Sequence, residues 1–249
     1  MNTTDFKTSD KETFYRYALQ KIFSSEIPAL VGGGYAFKQY TGLKRDTADL
    51  DIFCKAGDYP RLMKLFMEED FPSGVEDERW IGKIYQAEGR DEHIDFIFNT
   101  VNGICAVDDL WFDHAQETTI FDTKVKLISP VEYIWGKIFM WDRYRYEGAD
   151  VNHVILHEGQ NLEWKHLLFR MEQHWQLLFS QILNFLFVYP SEREKIPQWL
   201  LDELSTRLQH QFELPIPETK VCRGPLISQT QYETEITEWG YKVLTYSTI

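Results

Sequence analysis

The chain has 249 residues, long enough for one large domain or two modest ones. Hydrophobic residues make up 43% and charged residues 26%, a balance that buries a core and excludes a disordered, collagenous or low-complexity chain. Twenty-six basic against 39 acidic residues give a formal net charge of −13, which disfavours a broad electrostatic nucleic-acid binder but leaves room for a local basic pocket.

In chain order, Phe14, Tyr17, Ala18 and Ile22 fall near helical spacing and predict a helix over 10–24. Pro28 to Val31 reads as a short apolar strand that runs into Gly32, Gly33 and Gly34, then a helical stretch from Tyr35 to Tyr40 broken at Thr41-Gly42. Leu50 to Phe53 reads as a second strand. A helix over 58–70 follows, with Asp58 as its cap and Leu62, Leu65 and Phe66 as its apolar face. Trp80–Ala87 and His93–Phe98 flank the turn residues Glu88 to Asp91 and predict a β-hairpin; 117–127 predicts another pair of short strands. Ser129-Pro130-Val131-Glu132 is a capping box with proline at the first helical position. From there to about Val188 the chain reads as helix, broken at Gly148 and Gly159. Pro190 ends it, Pro197 opens a further helix to about 212, and an irregular tail follows. The expected organisation is a mixed α/β (α+β) domain over 1–128 and a helical C-terminal region over 129–249.

Aromatic residues reach 15%, so the core is bulky. The run Phe185, Phe187, Tyr189 reads as part of it. Leu177 to Val188 is interrupted by Ser180, Gln181 and Asn184 and is too short to span a bilayer; it predicts a buried helix, and no membrane partner is expected. Cys54, Cys105 and Cys222 lie far apart with no CxxC pair, so neither a disulfide framework nor a cysteine-based zinc site is expected, and a reducing cytoplasm fits. The first 14 residues have neither a basic n-region nor an apolar h-region, and no signal peptide is expected.

The segment 30–53, LVGGGYAFKQYTGLKRDTADLDIF, carries the chemistry. A strand that ends in glycines and opens a helix presents backbone N–H groups to an anion, and glycine lets a phosphate approach closely. Asp49 and Asp51, two apart on a strand, project to one face. Two adjacent carboxylates repel unless a cation neutralises them, and an oxygen-loving Mg²⁺ shared with substrate phosphates is the natural partner. Asp95, alone among apolar neighbours in His93-Ile94-Asp95-Phe96-Ile97-Phe98, is costly to bury unless paired or metal-bound. A phosphate cradle with three strand carboxylates is the parts list of metal-assisted nucleotidyl transfer.

Gly32-Gly33, then Arg45-x-Thr47-x-Asp49-Leu50-Asp51, then Asp95, resembles the nucleotidyltransferase superfamily in its minimal and AbiEii-type branch. The resemblance covers roughly residues 28–156 and extends through Pro130-Val131-Glu132, Lys137, Arg143, Arg145 and Asp150-Val151. It departs at His153, where such proteins often carry an aspartate, and at Gly33, where other branches carry serine. The resemblance implies a nucleotidyltransferase-type mixed sheet completed by the helical region. It implies Asp49, Asp51 and Asp95 as catalytic and metal-binding residues for Mg²⁺ or Mn²⁺. Gly32, Gly33, Arg45, Thr47, Lys137 and Asp150 would contact an NTP, ATP among them.

The expected activity is transfer of a nucleoside monophosphate from the NTP to an acceptor hydroxyl on a small molecule or protein, with release of pyrophosphate. The acidic balance disfavours bulk nucleic acid as a partner. Other readings stand beside this: a non-catalytic nucleotide-binding partner, a toxin–antitoxin module with a cognate antitoxin, a tRNA-modifying toxin, and a structural helical scaffold whose aspartates are incidental. A homodimer is compatible with each. Lys137, in an otherwise apolar helix, either snorkels its ammonium to water or reaches the nucleotide's phosphates. His153 and His157, with Asp150, share one helical face but lack a third zinc ligand; His166 and His174 read as helix-surface residues. Cys54 reads as a small buried hydrophobe.

Overall fold

A computed structural model describes residues 6–47 and 49–243. The chain divides into two compact units, one ending at Tyr133 and the other beginning at Ile134.

In the first unit α1 (Lys11–Ser24) starts at Asp10, whose carboxylate accepts from the Thr13 amide at 2.8 Å, and buries Phe14, Tyr15, Ala18, Leu19 and Ile22. β1 (Leu30–Val31), α2 (Gly33–Thr41), β2 (Asp49–Phe53) and α3 (Tyr59–Met67) follow. Gly42 ends α2 in the left-handed conformation, at φ 69°. Then come β3 (Ser73–Asp77), β4 (Ile81–Tyr85), β5 (His93–Ile97), α4 (Asp109–Asp113), β6 (Gln116–Ile120), β7 (Thr123–Leu127) and α5 (Pro130–Lys137), within which the units part. Seven strands form one mixed sheet in the order β3-β4-β5-β2-β1-β7-β6. β2 runs parallel to β5 and antiparallel to β1. Along β2, Leu50 and Ile52 are buried while Asp49, Asp51 and Phe53 are half-buried on the other face. The mixed α/β class expected from the sequence is the one observed.

Asp58 sits at the start of α3 but caps no amide. Its backbone is already helical there, and its carboxylate pairs with Arg61 at 2.7 Å. Ser129 does cap α5: its hydroxyl accepts from the Glu132 amide at 3.2 Å. The helix expected from there to Gly148 stops at Lys137 instead. Residues 138–147 form a turn in which Asp142 accepts from the Tyr144 amide at 3.0 Å and Trp141 bridges Tyr146. Gly148 is therefore the first residue of a helix rather than a break in one, and a side chain there would overlap the Tyr146 ring.

The second unit holds α6 (Gly148–Glu158), α7 (Trp164–Met171), α8 (Trp175–Val188) and α9 (Gln198–Glu213). The region expected to be an irregular tail contains α10 (Glu233–Thr237) and a parallel pair, β8 (Val221–Cys222) with β9 (Lys242–Val243). Two of the polar interruptions of α8, Gln181 and Asn184, have partners. Gln181 donates to the Gly148 carbonyl at 3.0 Å and to Asn152 at 2.7 Å, and Asn152 donates to Asn184 at 2.8 Å. Each bond offsets the desolvation of a buried amide, about 1–3 kcal/mol if left unmade. Phe185 is buried, but Phe187 is 84% exposed, because residues two apart on a helix face different sides. No helix among the described residues is long and apolar enough to cross a membrane.

His174 is buried in the turn before α8, its ring edge-on to Phe139 at 5.4 Å, not on a helix surface. Burial, reinforced by the charge of Arg223, pushes its pKa down to about 4. The folded protein therefore keeps a neutral imidazole while the unfolded chain protonates near pH 6.5. This contribution to stability is complete above that pH and is lost as pH falls toward 4, at about 1.4 kcal/mol per pH unit. His174→Phe should flatten the fall in denaturant-measured stability between pH 6.5 and 4 relative to wild type. Parallel pH profiles for the two proteins would contradict the assignment.

Candidate active site beneath the glycine turn

The Gly32 amide donates to the Asp51 carbonyl at 3.0 Å, which carries the antiparallel pairing of β1 and β2 one residue past the strand. The chain then crosses the outward face of β2 at very close range. A Cβ on Gly32 would overlap the Phe53 ring, one on Gly33 the Asp51 carboxylate, and one on Gly34 the Thr47 methyl. Gly33 also has φ 51°, in the left-handed region. Three successive glycines are required because the two strands run in opposite directions, and each step along the turn meets another outward side chain of the segment 47–53.

The parallel register sets Asp49 opposite His93 and Asp51 opposite Asp95; the antiparallel β4 sets Lys83 opposite Asp95. Asp49, His93 and Asp95 each offer a donor atom, and these atoms lie within 4.8 Å of one another. The structure thus brings two of the three expected carboxylates together. Among the described residues Asp51 falls in no such group; its carboxylate lies against Gly33. Lys83 and Asp95 are both buried, and the Lys83 ammonium is 2.9 Å from Asp95 Oδ1 and 3.2 Å from Oδ2. Oδ1 is fully buried, and its charge is met by the Lys83 ammonium. His93 Nδ1 lies 2.6 Å from the Asp91 carbonyl, which can only accept, so Nδ1 carries a proton. Nε2 faces Lys83 at 3.1 Å and Asp95 Oδ1 at 3.4 Å. Asp95 raises the His93 pKa above its usual value, against the opposing effect of burial.

Arg45 and Thr47 line a pocket of about 430 Å³ with Lys11, Lys38, Lys44 and Tyr35. Gly34 lines it too, so the pocket adjoins the glycine turn. Lys11 is held by Asp46 at 2.5 Å and donates to the Thr47 carbonyl at 2.9 Å. The Arg45 guanidinium lies 4.7 Å over the Phe37 ring. Burial, with nearby carboxylates, pushes the Tyr35 hydroxyl up to about 12.

Lys137 and Asp150 belong to the second unit. The Lys137 ammonium is 2.8 Å from Glu147 and 3.8 Å from Asp150, and Arg145 holds the other Glu147 oxygen at 2.7 Å. Burial would raise the Glu147 carboxyl, yet Lys137 and Arg145 together bring it down to about 2. Lys137 is therefore in a half-buried ion pair rather than snorkelling to water. Among the described residues, neither His153 nor His157 belongs to a group of three ligands. Cys54 is buried, and its thiol is pushed up to about 12 by that burial.

No family model matches the chain, and no curated protein matches it. Among solved structures it is similar to the lincosamide antibiotic adenylyltransferase LnuA, with 17% identity and a TM-score of 0.41 over 59% of this chain and 96% of that one. It is similar also to the antibiotic-resistance factor ANT(2'')-Ia, with 15% identity and a TM-score of 0.45 over 68% and 97%. A third is an antigenic nucleotidyltransferase-like protein from Paracoccidioides brasiliensis, with 22% identity and a TM-score of 0.40 over 70% and 92%. All three likenesses are distant.

The close approach at Gly33 can be separated from its φ. Gly42 has φ 69° with nothing within 4 Å of a Cβ, so Gly42→Ala should cost only the left-handed strain, about 1–2 kcal/mol. Gly33→Ala adds the overlap with Asp51 and should cost roughly 2–4 kcal/mol. Equal losses in denaturant melts would show that the turn does not lie on β2 as described.

Proposed function

We propose that the protein is a nucleotidyltransferase of the superfamily its motifs resemble, moving a nucleoside monophosphate from an NTP to an acceptor hydroxyl. The observation that carries this reading is the meeting of Asp49 and Asp95, from adjacent parallel strands, beside a glycine turn that opens a helix. The donor set suits a divalent cation such as Mg²⁺ or Mn²⁺: the carboxylates are hard oxygen ligands, and the buried Asp95 Oδ1 already faces a cation, the Lys83 ammonium at 2.9 Å. Asp49 and Asp95 would hold it, with Asp51 beside them on the same strand face. When bound, such an ion neutralises the triphosphate and the departing pyrophosphate.

The chain's own residues do the rest. The glycines seat the turn directly on β2, so the N-terminus of α2, where amide groups and the helix dipole favour an anion, opens beside the carboxylate strand and would receive the phosphates. Arg45, Lys38 and Lys44 place positive charge in the adjoining pocket, sized for a polyphosphate. The acceptor oxygen attacks the α-phosphorus, a new P–O bond forms, the bond to the β-phosphate oxygen breaks, and pyrophosphate leaves with the bonding pair. Asp95 takes the acceptor's proton, which then passes to solvent. Catalysis of this kind is positioning and electrostatics. A small molecule or a protein supplies the hydroxyl; a net charge of −13 opposes a long nucleic acid.

Incubation with each α-labelled NTP, Mg²⁺ or Mn²⁺ and fractionated lysate identifies both donor and acceptor. Label should enter one fraction, and EDTA should abolish the transfer. Asp49→Asn should reduce transfer at least ~100-fold, and the variant should lose the rise in melting temperature that Mg²⁺-NTP gives wild type. An Asp49→Asn protein that still melts higher with Mg²⁺-NTP and still labels the acceptor would sink the assignment.

The pocket makes a separate prediction. Lys38→Ala and Lys44→Ala should each raise the KM for NTP roughly tenfold while kcat changes little, since ground and transition states share the polyphosphate contacts. A fall in kcat at constant KM would place these lysines at the reacting phosphate instead.

A further inference from the structure

We propose that the Asp49–His93–Asp95 cluster is a mixed nitrogen–oxygen cation site in which His93 Nε2 is a ligand and the Lys83 ammonium is the occupant in the cation's absence. This rests on the transferase reading and deepens it. It assigns a ligand and a competing cation that the glycine and aspartate motifs do not contain.

Two independent observations carry it. The first is the orientation of the imidazole. Nδ1 is committed to the Asp91 carbonyl at 2.6 Å, so in the neutral ring the lone pair is on Nε2, the atom that faces Asp95 and Lys83. A carbonyl that fixes the tautomer from behind is the arrangement of metal-binding histidines. The second is that a cation already sits among these donors. The Lys83 nitrogen is 2.9 and 3.2 Å from the two Asp95 oxygens and 3.1 Å from His93 Nε2. A divalent ion about 2.2 Å from each ligand needs donor atoms within about 4.4 Å of one another. The three donors lie within 4.8 Å, so a small closure suffices.

Two consequences follow. An imidazole ligand favours Mn²⁺, and later transition ions, over Mg²⁺, which prefers oxygen alone. Lys83 and the divalent ion compete for the same donors, so the lysine weakens metal binding while keeping the buried carboxylate paired when no metal is present.

The test is binding of Mn²⁺ alone, followed by loss of the free-ion electron paramagnetic resonance signal, and of Mg²⁺ by calorimetry. The proteins are wild type, His93→Gln, Lys83→Met and Asp49→Asn, each first shown to be folded by its melting transition. Wild type should bind one Mn²⁺ at least tenfold more tightly than Mg²⁺. His93→Gln should lose at least tenfold in Mn²⁺ affinity and far less in Mg²⁺ affinity. Lys83→Met should bind both ions more tightly than wild type. If Asp49→Asn loses the ion but His93→Gln binds Mn²⁺ like wild type, the nitrogen ligand is refuted and the transferase reading stands. If Lys83→Met binds no more tightly, the competition is refuted. If wild type binds neither ion, with or without NTP, the transferase reading fails as well. A His93→Gln chain that does not fold is replaced by His93→Asn, read against the same criteria.

Discussion

Everything at the site depends on one close approach: the backbone of Gly32 to Gly34 lies directly on the outward face of β2. A side chain at any of these positions would overlap Phe53, Asp51 or Thr47. The approach fixes the path from β1 into α2 and brings the first turn of α2 next to the carboxylate strand. It also forces a left-handed φ at Gly33, which an L-residue adopts only at a cost. The strand beneath is held just as tightly, because Leu50 and Ile52 on its other face are fully buried. A one-residue slip of β2 would turn those two to the outside and the aspartates into the core, so the hydrophobic face sets where the carboxylates point.

Electrostatics adds a second constraint. Burying an ionised carboxylate near another without a counter-charge is costly enough that such a group takes up a proton instead, and a buried ion pair is tolerated only when its geometry is good. Lys83 supplies that counter-charge to Asp95 from the neighbouring strand, so the metal-free site is compatible with a stable fold. Breaking the Lys83–Asp95 pair from either side leaves a buried charge, whereas exposed pairs elsewhere, such as Arg79 with Asp77, contribute little.

Much of this was legible in the sequence because strand parity is local. The spacing of Asp49 and Asp51, the glycine run and the Ser129 capping box each follow from a few adjacent residues, and each is seen as a strand face, a turn or a cap. Lys83 and His93 were missed because their roles depend on which strands are neighbours and in what register. No local pattern encodes that β4 and β2 flank β5. One signal was available: His93 is two residues before Asp95, so strand parity alone puts it on the same face. Phe187 stands outside the core although it belongs to the same aromatic run, because helical spacing separates it from Phe185. The loop 138–147 was hidden because its apolar residues continue the helical composition, while the turn is set by Asp142 and by the Trp141–Tyr146 bridge.

On the transferase reading, the same charge distribution narrows the acceptor. With Lys11 already paired to Asp46, the pocket of about 430 Å³ keeps Lys38, Lys44 and Arg45 as its positive charge, which stands out in a chain whose sum is −13. If that positive charge is taken up by the NTP, the remaining surface repels a second polyanion. An RNA acceptor needs several phosphate contacts to bind at physiological salt, and each contact draws on basic residues this chain has in deficit. A protein hydroxyl or a small polyol or aminated compound has no such requirement; for a cation the net field even assists encounter. On that reading the acceptor class would be set less by Asp49 and Asp95, which only need a hydroxyl, than by how few positive charges are left once a nucleotide is bound.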